Sequence, residues 1–337
     1  MTKAYGLYSH IAANRIKSLV LLACFVLLLQ ALIFSFNLVL QALAGGEFEE
    51  VLGRTFATMG AASPLGLAAA GVWFIVAWLA HGKMIASATG AHGIARDQAP
   101  KLYAALENLC ISRGIQMPKL QIIETPALNA YASGISPRTY TIAVTEGLMR
   151  QLNSRELEAV LAHELTHIRN KDAQLMVVAA IFAGIFAFIG DITFRNWDFP
   201  YGWSPKRPSS SSRSDRDNGG IAVILIAIMI ALVVIAFSWG ISVLIRLAIS
   251  RSREFMADAG SVELTKDADA MISALRKIAG QAAIPDMPSR MHAFFIETPA
   301  LRRVSSFFAT HPSIEERIEA LTKYAGGRDE SENVQEN

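Results

Sequence analysis

Between Leu161 and Ile168 the chain reads LAHELTHI, which sets His163, Glu164 and His167 in the order H-E-x-x-H. Residues four apart on a helix differ by only about 40° of rotation, so both imidazoles can reach a single ion. Zinc held this way needs a third protein ligand and keeps its remaining position for water. Glu164 follows the first histidine directly and can act there as a general base. The chemistry implied is metal-assisted hydrolysis with one zinc per chain. The plainer alternative is a pair of histidines capping a surface helix.

A third ligand must come from elsewhere in the chain. The extended pattern H-E-x-x-H-x-x-G-x-x-H would need a glycine and a histidine where Asn170 and Ala173 stand, so that version is excluded. The best candidate lies in Arg253-Glu-Phe-Met-Ala-Asp258. Glu254 and Asp258 are four apart and share a face of an expected helix. A liganding carboxylate at Glu254 and a second carboxylate at Asp258 that holds a ligand histidine would suit a zinc site. Glu263, His292 and His311 are rivals for the third ligand. Glu254 could also be a surface ion-pair partner of Arg251 or Arg253.

The elements that must position these groups are legible nearby. Asn153 followed by Glu156 has the form of a capping box, and Leu157, Val160, Leu161, Leu165 and Ile168 recur at helical spacing. The histidines fall on the flank of that apolar side. Leu120–Glu124, Ala130–Ser133 and Tyr140–Thr145 are expected to be short strands, with Gly134–Arg138 as a hairpin turn.

Four apolar runs surround this polar material. Residues 18–44 carry no charge and exceed the ~20 residues that cross a bilayer. The run is too long for the apolar part of a cleaved signal, so an uncleaved membrane helix is expected. Lys3, Arg15 and Lys17 precede it, while Glu47, Glu49 and Glu50 follow it against Arg54. That bias puts residues 1–17 in the cytoplasm and a loop, 45–60, outside. Residues 61–80 return the chain. The polar block 81–172 is then cytoplasmic, as is 246–326. Runs 173–190 and 221–245 would span again, or form a buried helical hairpin. Between them, 191–220 includes PKRPSSSSRSDRDNGG and reads as a flexible loop, and 327–337 as a disordered acidic tail. His167 lies just before the third run and Glu254 just after the fourth. An antiparallel pair would bring both ligands to one membrane face, within roughly 10–15 Å of the bilayer.

Composition agrees. The 337 residues are 52% hydrophobic and only 18% charged, against about 25% in ordinary soluble proteins. Mean hydropathy is +0.34. A net charge of +2 gives no support for a nucleic-acid partner. Two cysteines, Cys24 and Cys110, exclude a disulfide framework or a C-x-x-C site. Oligomeric state is left open.

Taken in order, NAYASG (129–134), IAVTEGL (142–148), HELTH, SRSREFMAD (250–258) and THPSIEERI (310–318) resemble the HtpX-type membrane zinc metalloproteases, relatives of the CAAX prenyl endopeptidases. The resemblance covers most of the chain. It implies an α+β, zincin-like (gluzincin) protease domain, mainly helical with a small sheet, fused to about four membrane helices. It further implies zinc on His163, His167 and Glu254, with Glu164 as base. Residence in the cytoplasmic (inner) membrane, an active site facing the cytoplasm, and turnover of misfolded or damaged membrane proteins under stress belong to the same implication. Partners would be membrane or membrane-proximal protein substrates and the lipid bilayer. The Ser-rich insert departs from the pattern.

Weaker candidates complete the site. An edge strand can bind a peptide by strand addition, and Asn129 and Ala130 resemble that substrate-facing segment. His311 or Arg317 could stand near the transition-state oxyanion. Asn129 opening a turn and Arg317 serving structurally are the plainer readings. Three rivals to the enzyme as described remain: an adaptor or chaperone with a structural zinc, a transporter with a chance motif, and a protease specific for prenylated peptides.

Overall fold

The computed structural model describes residues 7–181, scattered positions between 225 and 232, 253–284 and 312–328. The chain divides into two units, Met1–Ser18 with Ala77–Ala180 and Ile245–Asn337, and Leu19–Val76 with Ile181–Leu244.

The second unit holds most of helices α1 (Leu7–Leu43) and α2 (Phe48–Thr89). Both are long and apolar enough to cross a membrane, and only 28% and 11% of their most apolar windows is buried. Leu27, Leu65 and Val72 point outward. A core helix of a soluble protein would bury such side chains. α2 begins well before the expected start at residue 61. Glu49 and Glu50 occupy its first turn, where acids suit the helix dipole, and Val51 packs on Leu38 and Ala42 of α1. Charge ends a hydropathic run there without ending the helix. Gly45 and Gly46, both with positive φ, make the connection. Asn37 Nδ2 donates to Thr58 Oγ1 at 2.5 Å, and Ser63 donates to Gln30 Oε1 at 2.7 Å, tying the two helices together.

In the first unit a four-stranded mixed sheet has the order β1-β2-β4-β3. The strands are β1 (His92–Gly93), β2 (Lys119–Ile123), β3 (Ala130–Ser133) and β4 (Thr141–Thr145). β4 is central, parallel to β2 and antiparallel to β3, with Ala130 opposite Val144. All five of its residues are buried, as expected for a strand covered on both sides. The three longer strands fall within one residue of expectation. β1 and the parallel pairing were not foreseen. At the β3–β4 hairpin Gly134 has φ 115° and lies so close to the Thr139 carbonyl that a Cβ would sit 2.5 Å from it.

Helices α3 (Pro100–Arg113), α4 (Glu146–Gln151), α5 (Ser154–Arg169), α6 (Asp172–Ile181), α7 (253–265), α8 (Ala268–Ile278) and α9 (Ile314–Ala325) complete the unit. The core gathers around α5: Leu106 and Leu109 of α3, Ala132 and Val144 of the sheet, Met271 and Leu275 of α8, and Ile314 and Ile318 of α9. Truncating a fully buried leucine such as Leu161 or Leu165 would cost about 2–5 kcal/mol. The third apolar run is described as α6 up to Ile181. Residues 182–190, most of the fourth run, the loop 191–220 and 329–337 lie outside the described residues.

Candidate metal centre

α5 begins as its sequence dictates. Asn153 Oδ1 accepts the Glu156 N–H at 3.0 Å, and the Asn153 N–H donates to Glu156 Oε2 at 2.8 Å, so the capping box is complete. Ten further residues of the helix besides Glu156 are buried, His163 and Glu164 among them. His167 sits at the edge of the buried face with its side chain 14% exposed.

α7 crosses α5 where both backbones come close. A Cβ on Gly260 would lie 2.4 Å from Thr166 Cγ2, so only glycine permits the approach. Ser261 Oγ donates to the Ala159 carbonyl at 2.6 Å one residue on. This docking brings Glu254, near the start of α7, to the two histidines.

His163 Nε2 and His167 Nε2 are 3.2 Å apart. Glu254 Oε2 lies 3.5 Å from the first, and Oε1 lies 3.7 Å from the second. Donors placed 2.0–2.1 Å from one ion in tetrahedral geometry are about 3.3–3.4 Å apart. The donor set therefore fits zinc in kind and in spacing. Among the described residues these three form the grouping of possible metal ligands. Glu263 is engaged elsewhere, with Arg113 and Arg169 at 3.1 Å each. His292 and His311 lie outside the described residues.

Each histidine has a carboxylate behind it. Asp258 Oδ1 is 3.0 Å from His163 Nδ1. Asp172 Oδ2 is 3.1 Å from His167 Nδ1. Asp258 also receives a two-pronged grip from Arg317, whose Nε and Nη2 donate at 2.8 and 2.6 Å. Arg317 Nη1 lies 3.6 Å from Glu254 Oε2. α9 supplies this arginine from its buried face, set by the capping box of Ser313 and Glu316 and by Ile314, Ile318 and Leu321.

The charges explain why such a cluster can stay buried. Fully ionised, Glu164, Asp172, Glu254 and Asp258 exceed Arg253 and Arg317 by two negative charges, which one divalent cation balances. Burial opposes a charge on His163, yet the neighbouring Asp258 and Glu254 carboxylates outweigh it and push the imidazole up to about 9. Burial pushes the Glu164 carboxyl up, against the pull of both histidines and Arg317. Burial also opposes the Asp258 anion, but Arg317 and His163 hold it below the usual carboxylate range. Burial alone would favour a neutral Arg317, and Asp258, Glu254 and Glu164 keep it firmly charged.

The structure thus brings together His163, Glu164, His167, Glu254, Asp258 and Arg317. Arg317 adopts the structural posture, with Asp258 taking two of its nitrogens. Asn129 is buried, its Nδ2 donating to the Ala282 carbonyl at 2.9 Å and its Oδ1 accepting the Ala130 N–H at 3.0 Å. Ala130 is fully buried on β3, the last strand of the sheet, which packs on α5. Sequence reasoning did not single out Asp172, and it weighed Arg253 only as an ion-pair partner. An acid five residues beyond the second histidine carries no helical-face signal.

The family model described as Peptidase family M48 matches residues 96–325. A "Protease HtpX homolog" of Bacteroides fragilis (strain YCH46) is 42% identical over 260 residues, 75% of this chain and 77% of that one. Another, of Lactobacillus helveticus (strain DPC 4571), is 33% identical over 319 residues, 94% and 99% of the two chains. The solved structure of S. mikatae Ste24p is similar at a TM-score of 0.42 and 19% identity, over 79% of this chain and 65% of that one. The matched stretch carries all six of the clustered residues, His163, Glu164, His167, Glu254, Asp258 and Arg317, and on these findings the chain belongs to peptidase family M48.

Proposed function

We propose that His163, His167 and Glu254 hold one zinc ion per chain, and that the chain is an endopeptidase acting on membrane or membrane-proximal proteins at the cytoplasmic face of the inner membrane. The observation that carries the reading is the spacing of the three donors, 3.2–3.7 Å, with a buried Glu164 beside the first ligand. Zinc in such a site supplies Lewis acidity toward a scissile carbonyl and toward water.

The chain's own residues do the rest. Glu164 accepts the proton of the attacking water on its carboxylate and returns it to the leaving amine nitrogen. Its burial, which raises its proton affinity, suits that exchange. Asp258, clamped by Arg317, fixes the His163 ring. The peptide adds along the outer edge of β3, beginning at Asn129 and Ala130, because among the described residues this strand pairs only with β4. His311 remains a candidate for the oxyanion side. Two long apolar helices with outward side chains support anchorage in a bilayer, and the basic residues before the first apolar run support a cytoplasmic catalytic unit. Runs 173–190 and 221–245 would add two further spans. Turnover of misfolded or damaged membrane proteins under stress is the role that fits this placement.

The test is cleavage of an unfolded membrane-protein reporter by the full chain in detergent, with and without a zinc chelator. Cleavage that stops with chelator and returns with zinc is expected. Bound zinc without cleavage would favour an adaptor, and cleavage confined to prenylated peptides would favour the narrower protease.

A further inference from the structure

We propose that Asp172 is a positioning residue for the metal site, holding the His167 ring so that Nε2 faces the ion. The inference rests on the zinc reading above. Asp172 Oδ2 stands 3.1 Å from His167 Nδ1, and the carboxylate is buried. A proton on Nδ1 donated to this carboxylate leaves the Nε2 lone pair for a metal. Nε2 is the atom that lies 3.2 Å from His163 Nε2 and 3.7 Å from Glu254. Asp258 Oδ1 likewise lies 3.0 Å from His163 Nδ1. Each ligand ring is thus backed by a carboxylate from a different element, α7 in one case and α6 in the other.

The backbone is bent to make this contact. On a continued helix residue 172 would stand about 140° around from residue 167, facing away from it. Instead α5 stops at Arg169, and Lys171 takes φ 62°, in the left-handed region that side chains with a Cβ disfavour. The Lys171 N–H still closes on the Ile168 carbonyl at 3.1 Å, and the next helix starts at once with Asp172 turned back to the ring. The position also suits the charge. Asp172 occupies the first turn of α6, where an anion is favoured, and it is one of two carboxylates that offset the burial of Arg253.

The experiment measures zinc affinity of the full chain in detergent by competition with a colorimetric chelator. Asp172→Ala is expected to weaken zinc binding roughly 10–100-fold. Asp172→Asn keeps an acceptor for the Nδ1 proton while losing the charge near Arg253. It is expected to recover most of the affinity although thermal stability falls in both variants. Asp172→Ser, which starts a helix well but cannot reach the ring, serves if the alanine variant does not fold, and must show the same loss. Wild-type affinity in the alanine or serine variant would overturn the inference alone. So would an asparagine variant as weak as alanine, since the role would then be only the charge beside Arg253. A wild-type chain that binds no zinc would sink the metal reading and this inference together.

Discussion

Among the described residues Arg317 heads the fully buried side chains by size, and its two-pronged grip on Asp258 shows how much of the site is built from paired charges. Removing one partner of a buried pair leaves the other uncompensated, at about 3–5 kcal/mol. Arg317→Met should therefore lower stability by that order in chemical denaturation. Arg317→Lys should recover little, since an ammonium cannot reproduce the planar fork. A second residue-scale prediction concerns pH. Burial raises the Glu156 carboxyl, but Lys277, Ser273 and the Asn153 N–H outweigh it and hold the group below the usual range. Its stabilisation is therefore complete above the unfolded value, about 4.3, and is lost as pH falls through the lower folded value. Glu156→Gln should be less stable than wild type at pH 7, and the gap should shrink as pH falls below about 4.3. Equal stabilities at pH 7 would remove that account. At this scale the sequence named His163, Glu164, His167, Glu254 and Asp258 because helical spacing brings their types together. Asp172 escaped because its contact depends on one left-handed residue, Lys171, that no periodicity announces.

The docking of α7 on α5 carries Glu254 to the histidines, so the Gly260–Thr166 crossing matters as much as any ligand. Gly260→Ala drives a Cβ to 2.4 Å from Thr166 Cγ2. It should weaken zinc binding along with stability, and Thr166→Ala in the same chain should recover part of both. Unchanged zinc affinity in Gly260→Ala would mean that the crossing does not set the ligand geometry. The strands and the capped α5 were legible because alternation and caps are local signals. β1 was not, since two residues carry no period, and the parallel β2–β4 pairing is a matter of topology. α2 was read as beginning at 61 because Glu47, Glu49, Glu50 and Arg54 interrupt hydropathy. Hydropathy reports the surrounding solvent and not the backbone, and Val51 against Leu38 shows the helix packed from its first turns.

At the scale of the whole molecule, an M48 peptidase unit is joined in one chain to long helices whose apolar side chains face outward. The charge bias around α1 predicts that protease added outside intact spheroplasts leaves the catalytic unit whole, and that it is digested once the cells are opened. Digestion in intact spheroplasts would reverse the orientation. H-E-x-x-H alone suggested which residues would hold a metal and which would act as base, and helical spacing suggested Asp258, whereas the Asp172 contact and the grip of Arg317 on Asp258 needed the fold. The most direct measurement pairs zinc content with peptide cleavage in wild type, Glu164→Gln and His163→Ala, each purified as the full chain in detergent. The account predicts one zinc per chain in the first two, cleavage by wild type only, and loss of both properties in His163→Ala. A wild type without zinc, or a zinc-loaded Glu164→Gln that still turns over the reporter, would contradict it.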